Sequence, residues 1–127
     1  MDGFKEVNDT YGHDAGDKIL YAVGQRLRNR LRDTDNIIRV GGDEFVILLH
    51  NVKTTQDVNV KLASLMVSAT APYNINGKEI IVGCSLGVAM YPNVLAHQLI
   101  QSADKAMYQA KQSGRNQIVY CDEGVQI

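Results

Sequence analysis

Apolar and polar positions follow two rhythms along the chain, and each rhythm marks a kind of element. From Asp17 to Arg32 the apolar residues Ile19, Leu20, Val23, Leu27 and Leu31 recur at helical spacing. The opposite face carries Arg26, Arg28, Arg30 and Arg32, which reads as a solvated surface at the negative end of a helix. Next comes IIRVGGDEFVILLH, Ile37 to His50, whose two β-rich apolar runs predict a buried hairpin. Its turn falls at Gly41-Gly42, because glycine tolerates the positive φ of a tight hairpin. TTQDVNVKLASLMVSATA opens on a Thr/Asp helix start and sets Val58, Leu62, Leu65 and Met66 at helical spacing. YNINGKEIIVGCSLGVAMYP predicts two strands around Asn76-Gly77, the second running long through Ile81 to Ala89. A further amphipathic helix spans Ala96 to Gln112 and stops at Ser113-Gly114, and NQIVYC is a last short strand.

The resulting order is helix, hairpin, helix, hairpin, helix, strand. It predicts an α+β fold with an antiparallel-rich central sheet covered by helices. Folds of this rhythm usually open on a buried strand, and GFKEVND is too polar for one. DTYGHDAGD, Asp9 to Asp17, reads as a turn in which Asp14 or Gly16 caps the helix that follows.

Composition narrows the function classes. The 127 residues suit one domain, 1–127, with 45% apolar and 21% charged residues and no repeat or linker. A net charge of −1 gives no global attraction to nucleic acid or to an anionic membrane surface, so any phosphate site must be local. No apolar run approaches the roughly 20 residues that span a bilayer. The start, MDGFKEVND, lacks a signal-peptide pattern, and the expected location is the cytoplasm or the cytoplasmic part of a membrane-anchored sensor. Cys84 and Cys121 lack CxxC or CxxH spacing and read as structural thiols, which excludes a zinc site.

Three polar groups stand apart from the core pattern. Asp43 and Glu44 sit beside two glycines, where a phosphate can approach closely. Mg²⁺ held by one or two carboxylates plus substrate phosphates suits that setting, and so does a plain turn with exposed acids. Asn8, Asp9, His13, Asp14 and Asp17 precede the first predicted helix. An amide and a carboxylate together can read guanine, while helix capping accounts for Asp14 or Asp17 equally well. His13 has no partner acid or nucleophile in the pattern and reads as a structural turn residue. In AKQSGRN, Lys111 and Arg115 flank a helix end, where they suit either a phosphate clamp or the helix dipole. No GxxxxGK[ST] segment is present, which excludes a P-loop.

Taken in order, DGFKEVNDTYGHDAGDKIL, RDTDNIIRVGGDEFVILL, CSLGVAMYP and ADKAMYQAKQSGRN resemble the GGDEF family, the diguanylate cyclase domain that makes cyclic di-GMP from two GTP. The resemblance runs from Asp2 to about Tyr120. It implies a nucleotidyl cyclase or palm-like fold with a ferredoxin-like core. Asp43 would be a metal carboxylate, with Glu44 near the phosphates and aiding deprotonation. Gly41 and Gly42 would admit the nucleotide, Asn8 and Asp17 would hold guanine, and Lys5, Lys111 and Arg115 would contact phosphates. Two Mg²⁺ ions, or Mn²⁺ in their place, would assist a ribose 3′-oxygen attacking the α-phosphate of a second GTP. Each domain would hold one GTP, so catalysis would need a homodimer. RDTD would supply an inhibitory product site through Arg32 and Asp35.

The family also places an Asp-x-Asp ahead of GFK. Met1 aligns with its middle residue, whose backbone carbonyl would meet the metal, and Asp2 aligns with its second acid, which should face away. The first acid and the strand before it have no counterpart here. The expectation is therefore a diguanylate cyclase domain that is inactive as this fragment. The alternative is a degenerate module that binds GTP or cyclic di-GMP and regulates a linked sensor or phosphodiesterase domain. Neither reading calls for nucleic acid or for membrane contact by this domain.

Overall fold

A computed structural model of the chain describes residues 1–121, and its contacts divide them into two compact units. The first holds Met1 and Gly3–Val82, and the second holds Asp2 and the chain from Gly83 onward.

The first unit begins with a helix that the polar pattern concealed. α1 spans Phe4–Tyr11 after a left-handed Gly3, and only Val7 on it is buried. Gly12 separates it from α2, His13–Asn29, so DTYGHDAGD is mostly helix rather than turn. Neither Asp14 nor Gly16 is the cap, since Gly12 holds that position and both lie inside α2. α2 buries Ile19, Leu20, Val23 and Leu27, four of the five residues in the predicted stripe.

β1 (Asn36–Gly41) and β2 (Glu44–Leu48) form the expected antiparallel hairpin, but its burial is lopsided. β1 is largely exposed, with Ile38 at 53% and Val40 at 56%, while β2 is half-buried. α3 (Thr55–Thr70) starts as the sequence predicts, the Thr54 hydroxyl accepting from the Asp57 amide at 3.1 Å. It buries Val58, Leu62, Leu65 and Ala69. β3 (Tyr73–Ile75) and β4 (Lys78–Ile80) pair around Asn76 and Gly77, both at positive φ as that turn requires.

Two of the arginines taken for a solvated face serve the framework of this unit. Arg26 donates to the carbonyls of Ser68, Ala71 and Pro72 and stacks 3.6 Å over the Tyr73 ring. Arg28 donates to the carbonyls of Asp35 and Arg32 and closes the loop after α2. Arg26 thereby caps the C-terminal end of α3, where helix carbonyls lack intrahelical donors.

The long strand expected from Ile81 to Ala89 is not continuous. β4 ends at Ile80, and β5 covers only Leu86–Val88, in the second unit. There β5 pairs in parallel with β6 (Ile118–Tyr120). A short 3₁₀ turn, Ala96–Gln98, leads into α4 (Leu99–Gln112), so the predicted helix has a tighter first turn. Gly114 (φ 112°) terminates the helix two residues after Gln112, with the Arg115 amide donating to the Ala110 carbonyl at 2.9 Å. Among the described residues the strands form three two-stranded sheets, and the α+β class stands.

Candidate functional site

The hairpin tip is built one residue later than the glycine pair suggests. Gly41 opposes Glu44 in the register, so Gly42 and Asp43 form the turn. Gly42 takes φ 47°, while Gly41 is not at positive φ. A shift in the ladder between Arg39 and Gly41 bends the strand just before this point. Arg39 Nε then donates to the Gly42 carbonyl at 2.9 Å and braces the turn. The sequence reading missed this role for Arg39, although an arginine three residues before the turn glycine was its signal. Asp43 stands half-buried at the tip, and Glu44 is the first residue of β2.

Met1 and Asp43, both expected beside a metal, do come together. The Met1 nitrogen donates to the Asp43 carbonyl at 3.0 Å and lies 3.7 Å from Asp43 Oδ2. The donor set is small, however. Among the described residues no group of three or more His, Cys, Asp or Glu side chains gathers where a metal ion could sit. One turn carboxylate can join nucleotide phosphates around a Mg²⁺ ion.

Between α2 and this hairpin lies an open cleft of about 480 Å³. Asp17, Leu20, Tyr21 and Gly24 line it from the helix, and Arg39 and Phe45 from the hairpin. Its volume falls within the range of small-ligand sites. Asp17 is exposed at its edge. Asn8 projects from α1 against Gly16, the residue before Asp17 in α2. Its Oδ1 is buried without a hydrogen-bond partner. Lys5 is exposed on the first turn of α1.

In the second unit, Lys111 lies half-buried in the last turn of α4. Arg115 follows the helix end, exposed, at φ 64°, and Asn116 is also left-handed at φ 51°. Two consecutive non-glycine residues in that region require support, and Asp2 supplies it. The Asp2 carboxylate, only 8% exposed, accepts from Ser85 Oγ (2.8 and 2.9 Å) and from the Asn116 amide (2.8 Å). The Asn116 side chain in turn accepts from the Cys84 amide at 3.1 Å. Asp2 is thus a buried anchor for the segment that presents Arg115. Nothing local in the sequence marks Ser85 and Asn116 as its partners.

Asp2→Ala should leave the Ser85 hydroxyl without its acceptor and the Asn116 amide with only Ser85 Oγ, 3.2 Å away, and cost about 2–3 kcal/mol. A lower urea midpoint and faster hydrogen exchange at the Asn116 amide are the expected readouts. Exchange at the wild-type rate would rule the anchor out. Cys84, beside this network, has its thiol pushed up by burial, which suits a structural thiol.

The RDTD segment is engaged with itself. Asp35 is 1% exposed and accepts from the Arg32 amide (3.0 Å), Arg32 Nε (3.3 Å), Arg32 Nη2 (3.2 Å) and the His50 amide (3.2 Å). Arg32 Nη2 also donates to the His50 carbonyl. Burial works to raise the Asp35 pKa. The Arg32 and His50 hydrogen bonds and the Arg32 charge outweigh it and lower the value to about 2. The Arg32 side chain stays half exposed.

A sequence profile of the family described as "Diguanylate cyclase, GGDEF domain" matches residues 1–117. The chain belongs to the GGDEF family. A bifunctional diguanylate cyclase/cyclic di-GMP phosphodiesterase, MucR of Pseudomonas aeruginosa, is 42% identical over 118 residues, covering 91% of this chain and 17% of that protein. The diguanylate cyclase DgcS of Shewanella oneidensis is 42% identical over 121 residues, covering 91% and 38% respectively. The chain thus spans well under half of these GGDEF proteins. The solved GGDEF domain of TpbB (YfiN) from Pseudomonas aeruginosa superposes with a TM-score of 0.90 at 35% identity, covering 94% of this chain and 72% of that one. The GGDEF domain of DgcB from Caulobacter crescentus, solved with cyclic di-GMP, gives a TM-score of 0.80 at 26% identity, covering 94% and 72%.

Proposed function

We propose that residues 1–127 are one GGDEF domain that binds GTP and, within its full protein, condenses two GTP into cyclic di-GMP with release of two pyrophosphates. The observation that carries this reading is the hairpin tip. Gly42 alone takes positive φ, so the turn delivers the Asp43 carboxylate to an edge where phosphates can approach. In this reading Asn8 and Asp17 hold the base. Lys5, Lys111 and Arg115 take phosphate oxygens, and Gly41 and Gly42 give the backbone room beside the nucleotide. Glu44 aids removal of the 3′-hydroxyl proton as that oxygen attacks the α-phosphorus of a second GTP. The bond to the departing pyrophosphate breaks in the same displacement. Two domains facing each other would bring the two nucleotides together.

A second reading rests on Arg32 and Asp35: a nucleotide-binding module that regulates a linked domain. Product cyclic di-GMP would then meet Arg32, whose half-exposed guanidinium is steered by Asp35.

Calorimetry and a turnover assay on the 127-residue chain separate the two readings. Expected results are GTP binding that weakens at least tenfold in Asp17→Ala, cyclic di-GMP binding that is lost in Arg32→Ala, and no product from GTP and Mg²⁺. Product formed by the chain would favour the enzyme over the module. Failure to bind either nucleotide would sink both.

A further inference from the structure

We propose that Gly16 determines guanine selectivity by locking the side-chain amide of Asn8 in one orientation; the inference rests on the reading that Asn8 and Asp17 hold the base. Two unfavourable features meet at one point. Gly16 sits inside α2, where glycine is a poorer choice than alanine, and its φ is not one that calls for glycine. Facing it, Asn8 Oδ1 is buried with no donor. The space between them accounts for the glycine. A Cβ on residue 16 would lie 1.8 Å from Asn8 Oδ1, 3.0 Å from its Cγ and 3.3 Å from Phe4 Cε1.

In this packing the Oδ1 end of the amide faces Gly16. With Oδ1 sealed against α2, the donor Nδ2 is the end left for a ligand. An outward donor beside the exposed Asp17 carboxylate complements guanine, whose O6 accepts while its N1–H and 2-amino group donate. Adenine reverses the pattern, with an amine at C6 and an acceptor at N1. A freely turning amide would serve either base, because it offers a donor or an acceptor on demand. Held one way, it rejects adenine by setting donor against donor.

The test titrates the chain and its variants with GTP, ITP and ATP by calorimetry. Wild type should prefer GTP and ITP to ATP. Gly16→Ala should weaken GTP at least tenfold and shrink the GTP-to-ATP ratio by a similar factor. ITP should fall in step with GTP, because the lost contact is to O6, which both share. Asp17→Asn should instead penalise GTP more than ITP, since only GTP carries the 2-amino group. Should Gly16→Ala fold poorly, Asn8→Ala/Gly16→Ala removes the collision. That double variant should fold and bind GTP within twofold of Asn8→Ala alone. An unchanged GTP-to-ATP ratio in Gly16→Ala, or a further loss in the double variant, overturns the role of Gly16 while leaving the base-reading pair intact. A wild-type chain that does not prefer GTP overturns the base reading and this inference with it.

Discussion

Gly87→Ala is expected to leave the second unit unfolded. Gly87 sits mid-strand in β5, packed directly on the backbone of α4. An added Cβ would lie 2.0 Å from the Ala103 carbonyl oxygen, 2.1 Å from the Met107 nitrogen and 2.8 Å from Met107 Cα. None of these atoms belongs to a side chain that can swing aside. Relief requires β5 and α4 to separate, which would expose Val88, Ala106 and Ala110. A loss above about 4 kcal/mol follows for a backbone collision of this kind. Gly41→Ala is the matched control, because nothing lies within 4 Å of its added Cβ and its φ is not positive. It should change stability by less than about 0.5 kcal/mol. Urea titration followed by circular dichroism reads both, and a wild-type midpoint for Gly87→Ala would refute the packing argument.

Asp35→Ala is expected to cost about 3 kcal/mol, because it strips a buried carboxylate from the donors gathered around it. The same carboxylate should make stability depend on pH in a defined window. Its pKa falls from 3.8 in the unfolded chain to about 2 in the folded one. The unfolded state therefore binds the proton more readily, and acid favours unfolding. The contribution, roughly 2 kcal/mol from a shift of this size, is complete above about pH 4. It disappears as the pH falls through about 2. Urea midpoints from pH 5 to pH 2 should drop for wild type more steeply than for Asp35→Asn. Parallel curves would show that Asp35 is not the group responsible.

Local chemistry made much of this molecule readable in advance. Thr54 starts α3, Asn76-Gly77 turns β3 into β4, and Gly114 ends α4, each through bonds spanning a few residues. α1 escaped because one buried residue, Val7, is too little periodicity to stand out among Lys5, Glu6, Asn8 and Asp9. The hairpin turn fell one residue later than expected, since strand register rather than glycine content decides which residues turn. Arg26 and Arg28 looked like surface charge because their acceptors, backbone carbonyls, leave no mark in a sequence. The same limit hid Ser85 and Asn116, which matter only once Asp2 is placed among them. Around the proposed site, residue types drew attention to Asn8 and Asp17, but only the contact of Asn8 with Gly16 gives the amide a direction.

The bond from the Asn116 amide to Asp2 spans 114 positions. A ribosome makes Asn116 more than a hundred residues after Asp2, so the anchor waits through that stretch of synthesis for its partner. Closing so large a loop is slow, because its entropy is lost before any contact repays it. The second unit therefore completes only after Asn116 has left the ribosome, whereas α1, α2 and the first hairpin have their partners much earlier.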